Sequence, residues 1–532
     1  MPVLRSAVDP ASEAYLANRA GQLAAIAALD EQLELARAGG GAKYAQRHRD
    51  RGRLLARERV ELLVDRDSPL LELSSLAAWG TEFVVGASIV TCVGVVSGVE
   101  CVLIAHDPTV RGGSMNPYTL RKGLRALEIA RRNRLPVINL VESGGADLPT
   151  QSDLFVPAGR IFRDLTELSA MGIPTIALVF GNSTAGGAYV PGMCDYSVLV
   201  DGQAKVFLGG PPLVKMATGE EADDESLGGA DMHSRISGLA DHFAVDELDC
   251  LRIGRQIVAE LHWHKLGPPP SEPADPPLYD PDELLGIVSA DFRVPFDPRE
   301  VLARVVDGSR FGEYKPRYGT SLVTGWASVH GYPVGVLANA RGVLFSEEAK
   351  KATEFILLAN QSDTPLIFLQ NTTGYMVGTQ YEQGGIIKDG AKMINAVTNS
   401  AVPHITVNMA ASFGAGNYGM SGRAYDPRFM FAWANAKLAV MGAQQLAGVM
   451  SIVARQSAES TGRAFDAEAD DKRRQLIEAQ IERESDAFFV SARLYDDGVI
   501  DPRDTRSVLG MALSAAHSGT VEGRRGFGVF RM

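Results

Sequence analysis

The sequence predicts an α/β chain built as two similar halves in tandem. Apolar, strand-like runs alternate with helical stretches, the pattern of helices packed on mostly parallel sheets. A proline-crowded segment divides the chain, and motifs that precede it return after it in register. The alternation follows a helical stretch at 11–65, Ala/Leu-rich around Leu23–Ala38, basic over 43–61 and ending in RERVELLVD. Strands are expected at Ile89–Val96, Cys101–Ala105, Val137–Leu140 and Thr175–Phe180, with a helix from about Tyr118 to Asn133. GPPPSEPADPPLYDP holds seven prolines between Pro268 and Pro281, and such a run sustains neither a helix nor an inner strand. An extended linker at 268–285 is therefore expected between units 1–267 and 286–532.

The repeat is read from spacing. Pro136 and Pro365, Pro174 and Pro403, Gly145 and Gly374, and Gly186 and Ala415 are each 229 residues apart. Four matches in one register indicate two copies of one fold. Each copy has an apolar strand feeding a small-residue turn, FGNSTAGGAY and ASFGAGNYG. Small residues there have two readings. They let a helix pack closely on a strand, or they let a ligand approach unpaired backbone N–H groups that stabilise a developing negative charge. On the second reading the donors are the amides of Gly186 and Gly187 in one half and of Ala415 and Gly416 in the other.

Composition narrows the partners. The 532 residues carry 52 Lys plus Arg against 64 Asp plus Glu, a net charge of −12. That balance disfavours nucleic acid and anionic membranes, which bind basic surfaces. The apolar stretches Gly86–Cys101 and Gly172–Cys194 are broken by Gly, Pro, Ser and Thr and read as buried strands, not membrane spans. The N-terminus lacks the apolar core of a secretory signal. Four scattered cysteines form neither a CxxC knuckle nor a disulfide framework, which suits a reducing cytoplasm. There is no P-loop, GxSxG elbow or HExxH zinc motif, so no metal is expected. His262 and His264 read as surface residues and Met115, Met376 and Met393 as core or pocket lining. Residues 121–134, RKGLRALEIARRNR, read as a solvated helix face or a surface meeting the phosphates of an anionic cofactor. Arg111, beside Gly112 and Gly113, is a further phosphate candidate. Lys392 lies in AlaLysMet but lacks the preceding Met of a biotinylation site.

Longer segments carry a resemblance. RGRLLARERVELLVD (52–65), VRGGSMNPYTLRK (110–122), LVESGGADLPTQ (140–151), GNSTAGGAYVPGMCD (181–195), FLQNTTGYMVGTQYEQGGIIKDGAKM (368–393) and SFGAGNYGMSGRAYDPRF (412–429) are among those that match. Through them the chain resembles the carboxyltransferase (beta) subunit of biotin-dependent acyl-CoA carboxylases, in the methylcrotonoyl-CoA and geranoyl-CoA branch. The resemblance implies a tandem duplication of two crotonase-like (ClpP/crotonase) domains. It implies transfer of a carboxyl group from carboxybiotin, on a partner subunit, to an acyl-CoA through an enolate. It assigns Gly186 and Gly187 to the thioester and Ala415 and Gly416 to biotin, with Gly144, Gly145, Ala158, Gly374, Tyr375 and Arg111 as substrate-binding positions. It also implies a biotin carboxylase/carrier alpha subunit as partner and a homo-oligomer with a hexameric beta core. The family places the site between the N-domain of one subunit and the C-domain of another.

Where methylcrotonoyl-specific members carry Phe before a Gly-Arg pair, this chain has Ala158 before Gly159 and Arg160. Replacing a ring by a methyl group leaves room for a longer or bulkier acyl chain. Three other readings compete. They are a crotonase-type hydratase or isomerase with Glu142 or Glu347 as base, a non-catalytic carboxylase scaffold, and a decarboxylase module of a sodium pump.

Overall fold

The computed structural model describes residues 1–532. Helices α1 (Glu13–Ala38), α2 (Ala42–Arg49) and α3 (Ala56–Leu63) precede the first sheet. That sheet contains β1 (Leu70–Leu73), β2 (Ile89–Val96), β3 (Val99–His106), β4 (Val137–Ser143), β5 (Thr175–Thr184), β6 (Tyr196–Val200), β7 (Lys205–Phe207) and β8 (His242–Ala244). Its order is β1-β2-β3-β4-β5-β6-β8, with β7 paired to the end of β5. The β1–β2 and β2–β3 pairs are antiparallel, and every later pair is parallel. Crossover helices α4 (Pro117–Asn133) and α5 (Gln151–Ala170) make those parallel steps possible. All seven residues of β4 are buried, as expected of a strand covered on both faces.

The second sheet repeats this plan. It contains β9 (Gly312–Glu313), β10 (Leu322–Val329), β11 (Tyr332–Asn339), β12 (Gly342–Leu344), β13 (Leu366–Tyr375), β14 (His404–Phe413), β15 (Phe429–Trp433), β16 (Lys437–Ala439) and β17 (Val499–Ile500). The order is β17-β15-β14-β13-β11-β10-β9, with β12 on β13 and β16 on β14. β4 and β13 begin at Val137 and Leu366, and β5 and β14 at Thr175 and His404, in the register read from sequence. The α/β tandem duplication is borne out.

Smaller details are also duplicated. Lys122 on α4 is buried and donates to the carbonyls of Ile89 (2.9 Å) and Gly86 (3.2 Å). Lys351, at the matching place on the helix Ser346–Gln361, donates to Leu322 (2.8 Å) and Gly319 (3.3 Å). Burial without a carboxylate in contact pushes the Lys122 ammonium down to about 8.

The basic run 121–134 is only partly the solvated face expected from sequence, with Arg121 and Arg131 exposed. Lys122 lies inside, and Arg125 forks onto Asp497 at 2.7 and 2.8 Å, joining the two halves. Arg132 pairs with Glu128 and Asp426, and Arg134 lies 3.7 Å over the Trp263 ring.

The proline-rich stretch carries no helix or strand until a short turn at Pro281–Glu283. The first residues of the chain cross to the second half, where Val3 bridges Arg310 and Ser6 donates to Glu300 at 2.7 Å. α1 packs against the turn Leu284–Ile287. The largest core cluster, 44 buried residues, includes Val102, Ile129 and Leu165 from one half and Val323, Ile405 and Phe429 from the other. No helix is long and apolar enough to cross a membrane.

Candidate active site

β5 ends at Thr184 and turns through Ala185–Ala188 into the short helix α6 (Tyr189–Met193). Ala185 adopts φ 54°, costly for a residue with a Cβ, and Gly414 opens the equivalent turn at the same φ of 54°. The amides that follow begin a helix and so lack intrahelical acceptors. Gly186 and Gly187 do not need glycine for packing. A Cβ on Gly186 would lie 3.5 Å from Phe162 Cζ, and one on Gly187 would lie 3.9 Å from Ser183 Oγ, both ordinary contacts. Close helix–strand packing therefore does not explain glycine at these two positions.

The Ser143–Gly145 turn at the end of β4 lies alongside. Gly145 has φ +89°, and a Cβ there would sit 3.3 Å from Thr184 O. Ser143 Oγ donates to Gly113 O (2.8 Å) and accepts from Gly145 N–H (3.2 Å), while Gly144 N–H donates to Gly112 O (2.9 Å). Ala158 is half-buried on α5, one turn before Phe162. The Phe162 ring meets Tyr189 edge-on at 5.8 Å, which seats α5 over the Gly186 turn. Gly145 thus lies against Thr184 and Ala185, and Gly186 lies against Phe162 of the helix that carries Ala158.

In the second half Thr372 takes the part of Ser143. It donates to Gly342 O (3.2 Å) and accepts from Gly374 N–H (3.2 Å). Ala415 and Gly416 lie in the helix Gly414–Gly419 that follows β14. Gly416 has a packing reason, since a Cβ would meet Thr372 Oγ1 at 2.5 Å and Gly374 Cα at 3.0 Å. Tyr375 is wedged under this turn, its ring against Gly390 and Gly419 and its hydroxyl 3.4 Å from Met393 Sδ. Burial pushes that phenol well above its usual range.

Two cavities flank these turns. One of about 510 Å³, in the second half, is walled by Arg293, Arg341, Asn371, Thr373, Phe413 and Lys437. Behind Asn371, whose N–H donates to Asn339 Oδ1, the buried Asn339 Nδ2 has no partner. The other, about 390 Å³, lies in the first half between α2 and the Pro108–Gly112 segment. Its wall carries Arg47, Arg51 and Arg111, with Tyr44 and His48. Arg111 contacts Asp147 at 3.2 Å and remains mostly exposed, while Arg47 and Arg51 form no ion pair. The sequence shows 43–61 as a basic helical segment, but that alone assigns it no anion-binding role. RHRDRGR, at 47–53 in an acidic chain, was the signal.

Glu142, one of the candidate bases, is buried against Arg53 (2.5 Å) and Arg59 (2.7 Å), with His48 Nε2 at 3.8 Å. A carboxylate held in this way is a structural anchor and not a free base. Glu347 is exposed at the start of the helix Ser346–Gln361. No group of three or more His, Cys, Asp or Glu side chains is placed to hold a metal ion.

Known proteins share this whole plan. The carboxyl transferase domain model matches residues 47–529. The chain is 65% identical over 530 residues to a probable biotin-dependent acyl-coenzyme A carboxylase beta2 subunit of Mycobacterium tuberculosis, with all of both chains covered. It is 48% identical to the methylcrotonoyl-CoA carboxylase beta chain of Dictyostelium discoideum, covering 100% of this chain and 91% of that one. The crystal structure of the P. aeruginosa geranyl-CoA carboxylase beta subunit superimposes with a TM-score of 0.90 at 41% identity, covering 99% of each chain. The chain belongs to the carboxyl transferase family, among the carboxyltransferase (beta) subunits of biotin-dependent acyl-CoA carboxylases.

Proposed function

We propose that this chain moves a carboxyl group from carboxybiotin on a partner subunit to an acyl-CoA, using its two strand–turn–helix sites as a pair of oxyanion holes. The observation that carries this reading is the duplication itself. Each half places a backbone turn after one strand against a helix start after the next, Gly145 beside Thr184–Ala185 and Gly374 beside Gly416. When bound, carboxybiotin would supply carbon dioxide, and the ureido nitrogen freed by its loss would supply the base.

The protein's own contribution is electrostatic. The Gly186 and Gly187 amides face the thioester oxygen as the acyl-CoA becomes an enolate, and the Ala415 and Gly416 amides face the ureido oxygen. Each hole strengthens as its charge develops, and losing one such donor typically costs about 2.7–4 kcal/mol of barrier. The polar wall of Asn371, Thr373 and Arg341, with its unpartnered Asn339 amide, suits a ureido ring. Arg47, Arg51 and Arg111 suit the nucleotide phosphates of CoA.

The two cavities share no residue, each being lined by one half. We take the working centre to be assembled between copies in a homo-oligomer with a hexameric core, as the family resemblance implies, with residues 268–285 linking the acyl-CoA and biotin units. Ala158 in place of a ring favours an acyl chain longer or bulkier than methylcrotonoyl. Four unpaired thiols suit a reducing compartment, which supports a cytoplasmic location.

The test is co-purification with the biotin-bearing partner, followed by a carboxylation screen across acyl-CoA chain lengths. Co-assembly of a Gly186 variant with an Ala415 variant should restore part of the activity each lacks alone. If every mixed assembly stays inactive while each variant still assembles, the shared centre is wrong.

A further inference from the structure

The segment that walls the cationic cavity also braces the Ser143–Gly145 turn, called the thioester turn below because it lies against the Thr184–Ala185 entry to the Gly186 and Gly187 amides. Arg111, Gly112 and Gly113 have φ of 48°, 67° and 71°, three successive left-handed residues. Arg111 and Gly112 line the cavity. The carbonyls of Gly112 and Gly113 hold Gly144 N–H and Ser143 Oγ. A Cβ on Gly113 would come within 2.2 Å of Glu142 O, so this turn and the end of β4 are in direct backbone contact.

A second connection runs through side chains. His48 lies in the cavity wall, with Nε2 bonded to Leu54 O (3.2 Å) and 3.8 Å from Glu142 Oε2. Arg53, four residues beyond α2, ties the same carboxylate at 2.5 Å. Glu142 immediately precedes Ser143-Gly144-Gly145, and its carboxyl group packs so close to Gly181 in β5 that a Cβ there would sit 2.7 Å away. The second half has Asn371 at the place of Glu142, in a wall with no counterpart to α2. The linkage is therefore confined to the thioester side.

We propose that the cationic cavity and the thioester turn form one mechanical unit, in which a phosphate-class anion among Arg47, Arg51 and Arg111 sets the turn for catalysis. Glu142 is the positioning residue that transmits this. The inference rests on the assignment of CoA phosphates to this cavity. Binding energy from a remote part of a substrate can be used to orient the reacting centre, and then it raises kcat and not affinity alone.

The experiment uses the holoenzyme with two substrates, the acyl-CoA and the matching acyl-pantetheine, which lacks the nucleotide phosphates. Adenosine 3′,5′-bisphosphate is supplied separately as a probe. In the unaltered enzyme, acyl-pantetheine should show a lower kcat, and the free bisphosphate should raise it about tenfold, within the usual range of coupling between sites. Glu142→Gln and, as a milder variant, Arg53→Gln should bind the bisphosphate by calorimetry as before but lose that activation. If the bisphosphate binds the unaltered enzyme without raising kcat, or activates Glu142→Gln and Arg53→Gln equally well, the coupling is overturned and the phosphate cradle survives. If binding is absent, or is unaffected in Arg47→Ala and Arg51→Ala, the cradle itself is wrong and the coupling fails with it.

Discussion

Replacing Gly186 by Ala separates packing from catalysis. The residue does not lie in the left-handed region, and the new methyl would meet only Phe162 Cζ, at 3.5 Å. Folding should be nearly unaffected, because Gly→Ala at a compatible position changes stability by about 1 kcal/mol or less and often favourably. The methyl nevertheless points toward α5, between the amide turn and the helix bearing Ala158 and Phe162, where the acyl group is proposed to lie. A displacement of about 1 Å at a reacting centre can cost 10²-fold. A fall in kcat of roughly 10²- to 10³-fold is therefore expected, up to the loss of a whole oxyanion donor. The assays are steady-state carboxylation by the holoenzyme and thermal melting of the same preparation. Gly416→Ala is the contrast, because its Cβ would strike Thr372 and Gly374 and should lower stability and activity together. A Gly186→Ala enzyme with unchanged melting and full activity would refute the reasoning.

Other outcomes follow from features away from that turn. Ala158→Phe should shift kcat/KM toward the five-carbon acyl-CoA, by about tenfold or more if the ring fills space used by a longer chain; unchanged ratios would remove Ala158 from the acyl site. Arg125→Met leaves the buried Asp497 with one ion pair, to Arg423 at 3.2 Å, and one backbone hydrogen bond, from Met430 N–H at 2.8 Å. Breaking a buried pair of this kind costs about 3–5 kcal/mol, so denaturant unfolding should move strongly. A change no larger than about 1 kcal/mol, that of a surface pair, would deny the pair its role in joining the halves. Burial, together with the neighbouring Asp497, pushes the Asp496 carboxyl up to about 7. Between about pH 4, the ordinary carboxylate value, and pH 7 the folded chain keeps a proton that the unfolded chain has released. Its contribution is complete below pH 4 and lost as pH rises through 7. Asp496→Asn should flatten that part of the stability profile, and an unchanged slope would place the proton elsewhere.

The sequence shows the repeat where the copies have equal length. Gly113–Thr184 in the first half and Gly342–Phe413 in the second keep one spacing, so prolines and glycines align by eye. The hairpins do not, because Asp107–Gly112 in the first half replaces only Ala340–Arg341 in the second. β4 and β5 run past the expected Leu140 and Phe180 because the polar residues Asn182–Thr184 keep pairing, with β7. Polarity suggested a loop, and a neighbouring strand made it an edge. The cationic cavity was hidden for another reason. Its arginines come from α2 and from a turn some sixty residues later, and charge in two separate segments reveals a site only when the fold joins them. Lys122 and Arg125 defeat any reading from composition, since nothing local shows which basic side chains of a helix will find carbonyls or a carboxylate inside.

The common core cluster limits how such a protein can diversify. Its side chains interdigitate across both sheets, so interior substitutions in the first half also loosen the second. Freedom to change lies at the openings, where the two copies already differ: Gly112 in the wall of one cavity matches Arg341 in the wall of the other across the repeat. New acyl specificities should therefore arise by exchanging rim residues over an interior that neither copy can alter alone.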